Sequence, residues 1–215
     1  MERLVSEMRA AGDAPILLTG AGRAFSAGLD LKEVVSLDQA SMQGFLELLE
    51  GLVGLIFHHP APVIAAVNGH AIAGGAVLAL CCDAAWCTED PRARIGLNEV
   101  ALGLRFPPTV LAAVRHRLDP RHQGEVLLGA GLHAPADAAR LGLVDAIHPE
   151  PLAQARSHLA RLAAHPAEAY AATKHALRAG VMNVDPGARR AFIEEVVPVW
   201  SSDATKDRLL SMLRR

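Results

Sequence analysis

Cysteine is scarce and poorly placed for cross-linking. Cys81, Cys82 and Cys87 are the only three, crowded into "CCDAAWC". An odd, clustered set does not read as a disulfide framework, and it lacks the C-x-x-C spacing and second ligand pair of a zinc site. The ten histidines are scattered, His58 and His59 being adjacent, with no H-x-x-x-H on a helix face. No metal is therefore expected, and the cysteines read as buried, reduced thiols of a cytoplasmic protein. Basic runs are also missing. Net charge is −2 and no aromatic residues interleave with basic ones, so nothing supports a nucleic-acid partner. No stretch reaches about 18 uninterrupted apolar residues, which argues against a membrane span. The opening "MERLVSEMRAAGD" is amphipathic and contains acids, unlike a signal peptide. No repeat or low-complexity tract is visible.

What is present is a globular composition, 51% hydrophobic and 20% charged over 215 residues. That suffices for one substantial core, or a core with a helical appendage. "APILLTG" (14–20) reads as a short apolar strand ending in a glycine turn. A helix follows, starting near Ser36 or Asp38 and stopped by Pro60, with apolar residues from Leu37 to Ile56 at helical spacing. "APVIAAVNG" is a continuous apolar strand closed by Asn68-Gly69. "AIAGGAVLALCCD" passes from small residues into a helix, and "AAWCT" and "ARIGL" read as further short strands. Buried strands alternating with helices predict an α/β fold with a mainly parallel sheet. After Pro107 helices dominate, at 108–118, 120–129, 135–141, 150–164, 166–179, 186–197 and 203–214, interrupted by one strand in "GLVDAIHP". A soft boundary near residue 150 separates 1–150 from a helical 151–215, whose apolar faces suit assembly.

Three segments carry candidate chemistry. In "TGAGRAFSAGLDLKE" (19–33) the third glycine of a dinucleotide fingerprint is replaced by Phe25, and Ser26 is in no G-x-S-x-G elbow. The segment is either a flexible loop or one whose "SAGLD" exposes backbone N–H groups to a ligand. In "GHAIAGGAVLAL" (69–80), Gly74 and Gly75 precede a helix, whose start offers free N–H donors for a developing anion, or else they only pack against a strand. Glu99 is a single carboxylate in the aliphatic run "ARIGLNEVALGL", with Asn98 beside it. It is either a surface group or a base in an apolar pocket. Two sets of N–H donors and one carboxylate of raised pKa are what proton abstraction beside a carbonyl requires.

"FSAGLDL", "PVIAAVNGHAIAGGAVLALCCD" and "PRARIGLNEVALGL" resemble the crotonase (enoyl-CoA hydratase/isomerase) superfamily, and the likeness spans nearly the whole chain. It implies a spiral of β-β-α turns followed by a C-terminal helical region that builds trimers, or hexamers from paired trimers. It implies an acyl-CoA substrate and no separate cofactor. The thioester carbonyl would lie between the N–H groups of Leu29 and Gly74. Ala27, Gly28, Asp30 and Leu31 would meet the CoA ester, and Asn98 would flank the thioester. Hydratases of the family carry two glutamates. Here Val77 stands in the first position and Glu99 in the second, which fits double-bond migration better than hydration. "SAGLDL", "IGLNEVALG" and the tail "PVWSSDATKDRLLSMLRR" look like the mitochondrial-type Δ3,Δ2-enoyl-CoA isomerases.

The resemblance thus implies that Glu99 carries a proton from C2 of a 3-enoyl-CoA to C4, with Ile95, Leu97, Val100 and Leu102 desolvating it. A hydratase or other crotonase reaction, or a CoA-ester-binding oligomer without catalysis, are the alternatives. Fatty-acid β-oxidation is the default pathway. Arg23 and Lys32 are the nearest cations for CoA phosphates. Family members usually have a longer segment before the point where this chain starts. The likeness therefore implies that the first strands are missing, that a sheet edge or core face is uncovered, and that such a short form either binds CoA esters weakly or is inactive.

Overall fold

The computed structural model describes residues 1–213, with side chains through residue 211. Three times the chain lays down two short strands and then turns into helix. Helix α1 (Glu2–Ala10) leads into β1 (Ile16–Thr19), β2 (Ala24–Ser26), α2 (Leu31–Ser36) and α3 (Gln39–Phe57). The second round is β3 (Val63–Val67), β4 (His70–Ile72) and α4 (Gly74–Cys81). The third is β5 (Ala84–Thr88), β6 (Ile95–Gly96), a 3₁₀ turn at Val100–Leu102 and α5 (Pro108–Arg117). Then come α6 (Pro120–Gln123), running into a π-helical stretch at Gly124–Leu128, α7 (Pro135–Arg140) and β7 (Ala146–His148). The rest is helical: α8 (Pro151–Ala163), α9 (Ala167–Arg178), α10 (Pro186–Ala191), a π turn at Phe192–Val196, α11 (Val197–Trp200) and α12 (Asp203–Leu213). Residue 214, the expected end of the last helix, lies outside the described residues.

First strands stack on first strands and second on second. One sheet has the order β1-β3-β5-β7 and the other β2-β4-β6, all paired in parallel. This is the expected spiral, and its repeat is structural only, without a sequence period. Strand β3 shows why the sheet forms. All five of its residues are buried, as a strand covered on both faces requires. Leu18, Ala65 and Ala85 align in one row across three strands. On the opposite face Ile64, Ala66 and Ala84 pack with Ala155 of α8, so α8 closes the outer side of the sheet.

Polar side chains tie successive rounds together. Asn68 Oδ1 accepts the Gly20 N–H at 3.0 Å, and its Nδ2 donates to the Gly22 carbonyl at 3.1 Å. Asp83, just before β5, accepts the Val63 N–H at 2.7 Å, and Asp145, just before β7, accepts the Ala85 N–H at 2.7 Å. Asp83 also receives Lys174 at 2.7 Å and Arg178 at 2.8 Å. Those three side chains are about nine-tenths buried and fasten α9 to the core.

Helix α3 spans 19 residues at a hydropathy of 1.4, long and apolar enough by length and composition to cross a membrane. Its polar residues, Gln39, Ser41, Gln43, Glu47 and Glu50, still interrupt the apolar run, and a core helix meets the same length and composition criterion. In this fold one face of α3, including Met42, Leu46, Val53 and Ile56, is core. Asp38 starts it, accepting the Ser41 N–H at 2.8 Å. Cys81, Cys82 and Cys87 are free and buried.

Candidate active site

Two loops meet edge to edge where β2 and β4 end. Gly28 has φ +92°, and a methyl there would lie 2.9 Å from the Ile72 carbonyl oxygen. A Cβ on Gly75 would overlap the Ser26 carbonyl oxygen. Both positions need glycine for the two backbones to approach this closely. The approach brings two amides together. A methyl on Gly28 would be 3.4 Å from the Gly74 nitrogen, and one on Gly74 would be 3.9 Å from the Leu29 nitrogen. Among the described residues, neither the Leu29 N–H nor the Gly74 N–H donates to a protein acceptor. Gly74 opens α4, where free donors are inherent. Ala73 before it holds φ +51°, a conformation that costs an L-residue about 1–3 kcal/mol. The neighbouring Ala73 N–H is fixed on the Gly96 carbonyl at 2.8 Å.

These amides border a pocket of about 240 Å³. Its walls include Ile72, Val77, Leu102, Leu104, Phe106, Val110 and Trp200, and among the described residues Glu99 is its only ionisable lining residue. Glu99 follows β6 and opens the 3₁₀ turn, and its carbonyl accepts from Leu102 N–H at 3.0 Å and Leu104 N–H at 2.9 Å. The backbone is therefore pinned, while the side chain is 6% exposed and its Oε2 has no partner. Burial pushes the carboxyl up from 4.5 to about 7, opposed only by its own backbone N–H. Asn98 Oδ1, also buried without a partner, belongs to the same pocket.

Of the residues expected from sequence, Ala27, Leu29, Leu31, Gly74, Asn98 and Glu99 line this one pocket. Gly28 shapes the turn behind it. Asp30 faces elsewhere, for its carboxylate caps α2 by accepting the Lys32 N–H at 2.9 Å. The expected apolar shell needs correcting. Leu102 lines the pocket, but Val100 is 46% exposed because the 3₁₀ turn begins there and swings it outward. Ile95 and Leu97 are core residues away from the lining. Sequence reasoning missed Phe106 and Trp200. Arg23 and Lys32 are exposed and form no ion pair among the described residues. No cluster of three or more metal-ligating side chains occurs among the described residues.

A family profile for enoyl-CoA hydratase/isomerase matches residues 9–208. The chain belongs to the enoyl-CoA hydratase/isomerase family. Human mitochondrial enoyl-CoA delta isomerase 1 is 31% identical over 193 residues, 89% of this chain and 64% of that protein. A putative enoyl-CoA hydratase of Thermus thermophilus is 37% identical over 138 residues, 62% of this chain and 53% of that protein. The chain thus spans about two thirds or less of these relatives. The crystal structure of human mitochondrial delta3-delta2-enoyl-CoA isomerase superposes with a TM-score of 0.90 at 29% identity, covering 100% of this chain and 85% of that one. The fold is the crotonase fold of this family.

Proposed function

We propose that this member of the enoyl-CoA hydratase/isomerase family binds acyl-CoA thioesters and moves a double bond from a 3-enoyl-CoA to the trans-2-enoyl-CoA. The observation that carries the reading is a lone, buried carboxylate facing the same pocket as two unpaired amides, with Val77 where a second acid would be needed for hydration. The thioester oxygen accepts from Leu29 N–H and Gly74 N–H. Negative charge that develops on that oxygen is stabilised, each such donor contributing about 3–4 kcal/mol in the transition state. Ionised Glu99 removes a proton from C2, giving a dienolate and a neutral carboxyl. The carboxyl then returns that proton to C4, the electron pair shifts, and the C2–C3 double bond remains.

Burial serves both halves of this cycle. A carboxyl with a pKa near 7 is a competent base and, once protonated, a competent acid at neutral pH. The apolar walls keep water from quenching the dienolate or adding to the product. The reaction is redox-neutral and the thioester is itself the substrate, so no cofactor enters.

The 37% identity to a putative hydratase favours the second reading, hydration with water held by Glu99 and Asn98. Incubating the protein with 3-enoyl-CoA and with trans-2-enoyl-CoA, and separating the products by chromatography, distinguishes the two. Conversion of the first ester with no 3-hydroxyacyl-CoA supports the isomerase. Accumulation of 3-hydroxyacyl-CoA sinks it.

A further inference from the structure

Trp200 stands apart among the residues that line the pocket. Among the described residues it is the one lining residue beyond Leu132, and also the bulkiest. It is 3% exposed, and its indole N–H donates to the Arg105 carbonyl at 3.2 Å. That bond fixes the ring plane and fastens α11 to the segment that leads from Glu99 to α5. Helix α11 packs against α3, whose Leu49 shares the pocket wall.

The backbone before Trp200 explains how it is aimed. A π turn occupies Phe192–Val196, and Pro198 follows in α11. Proline has no N–H to give to the preceding turn, and a π turn inserts one extra residue into the helical path. One residue rotates everything after it by about 100° relative to an uninterrupted α-helix. The face carrying Trp200 is thereby directed inward. A second tie, from the next helix, reaches the same segment. Arg208 of α12 donates to the Leu102 carbonyl at 3.1 Å, at the end of the 3₁₀ turn that Glu99 opens.

We propose that Trp200 is a specificity-determining wall that limits the length of the acyl chain this pocket accepts, an inference that rests on the acyl-CoA reading above. The indole fills space that further methylenes would otherwise occupy, and its hydrogen bond to Arg105 prevents it from swinging aside. Chains that end before the wall gain from each apolar contact. Longer chains must displace a buried, hydrogen-bonded ring or remain partly in water. Replacing Trp200 with a smaller apolar residue opens that space, and each methylene that enters it improves binding by about fourfold.

The test is binding of saturated acyl-CoA esters, from butyryl-CoA to palmitoyl-CoA, measured by calorimetry on the parent protein, Trp200→Leu and Trp200→Phe. Saturated esters bind without turnover, so the result does not depend on which reaction the site catalyses. The parent should show affinity that rises with chain length and then levels or falls. Trp200→Leu should continue rising past that point. Trp200→Phe keeps a ring but loses the N–H, and should lie between them. Superimposable length profiles in the parent and Trp200→Leu, with circular dichroism showing both folded, overturn the wall. If Trp200→Leu does not fold, Trp200→Phe decides, since a profile identical to the parent's overturns the proposal. Failure of the parent to bind any ester overturns the acyl-CoA reading itself and this inference with it.

Discussion

Replacing Glu99 by glutamine should abolish turnover and, above neutral pH, make the protein more stable. The rise of the Glu99 carboxyl from 4.5 to about 7 comes from burial, without a compensating cation. At about 1.4 kcal/mol for each tenfold change in proton affinity, the ionised form in the folded chain carries a penalty of about 3 kcal/mol. The sign follows from proton counting. Below about pH 4.5 the group is neutral in both folded and unfolded chains, and the parent pays nothing. Between about 4.5 and 7 the unfolded chain releases the proton while the folded chain retains it, so parent stability falls as pH rises. Above about 7 both are ionised and the full penalty persists. Glutamine is neutral throughout and nearly isosteric, so any cost of its unpaired amide is the same at every pH.

The stability of Glu99→Gln minus that of the parent should therefore rise by about 3 kcal/mol between pH 4 and pH 9, most of it between about 4.5 and 7. Urea unfolding of both proteins across that range, at constant ionic strength, reads it directly. A difference that does not change with pH would mean that Glu99 titrates as a solvated carboxylate. The argument that the pocket makes it a base would then fail.

Four further outcomes follow from the packing. Gly75→Ala must push the β2 loop away from α4 and should cost stability at the upper end of about 1–3 kcal/mol in urea melts, whereas Gly74→Ala, whose nearest contact would be 3.7 Å, should stay within about 0.5 kcal/mol of the parent. Ala73→Gly relieves a positive φ and should stabilise the fold by about 1 kcal/mol, measured as an upward shift in thermal midpoint. Asp83→Ala leaves Lys174 and Arg178 buried without their carboxylate, and should cost about 3–5 kcal/mol in the same urea melts. His116, although largely exposed, is held below its usual pKa by partial desolvation and then by Arg178, so stability tied to its neutral form is lost as pH falls below the unfolded value of about 6.5. His116→Asn should accordingly lose less stability than the parent between pH 7.5 and pH 5.

Much of this site was legible before any coordinates. The apolar run of β3, the cap at Asp38 and the glycine pairs each have a local physical cause, and local causes can be read along the chain. Glu99 stood out because one carboxylate in an aliphatic run must be either exposed or perturbed. What was hidden depends on long-range contact or on very short elements. Strands β2, β4 and β6 have three, three and two residues, too few for a period to show. The β-β-α repeat left no trace because its rounds share geometry and Asp83- and Asp145-type ties rather than residues. That Val100 lies outside the pocket shell follows from the 3₁₀ turn it opens, a three-residue element that the aliphatic composition of the run does not reveal. Trp200 reaches the pocket from far along the chain through a π turn, and no helical spacing rule anticipates the rotation that a π turn introduces.

The most direct test of the proposed proton shuttle uses 3-enoyl-CoA deuterated at C2, with the trans-2-enoyl-CoA product analysed by mass spectrometry and NMR. A single buried Glu99 shielded from water predicts that part of the label removed from C2 reappears at C4, and that Glu99→Gln forms no product while still binding the ester. A product with all the transferred hydrogen drawn from solvent, or activity surviving in Glu99→Gln, would contradict it.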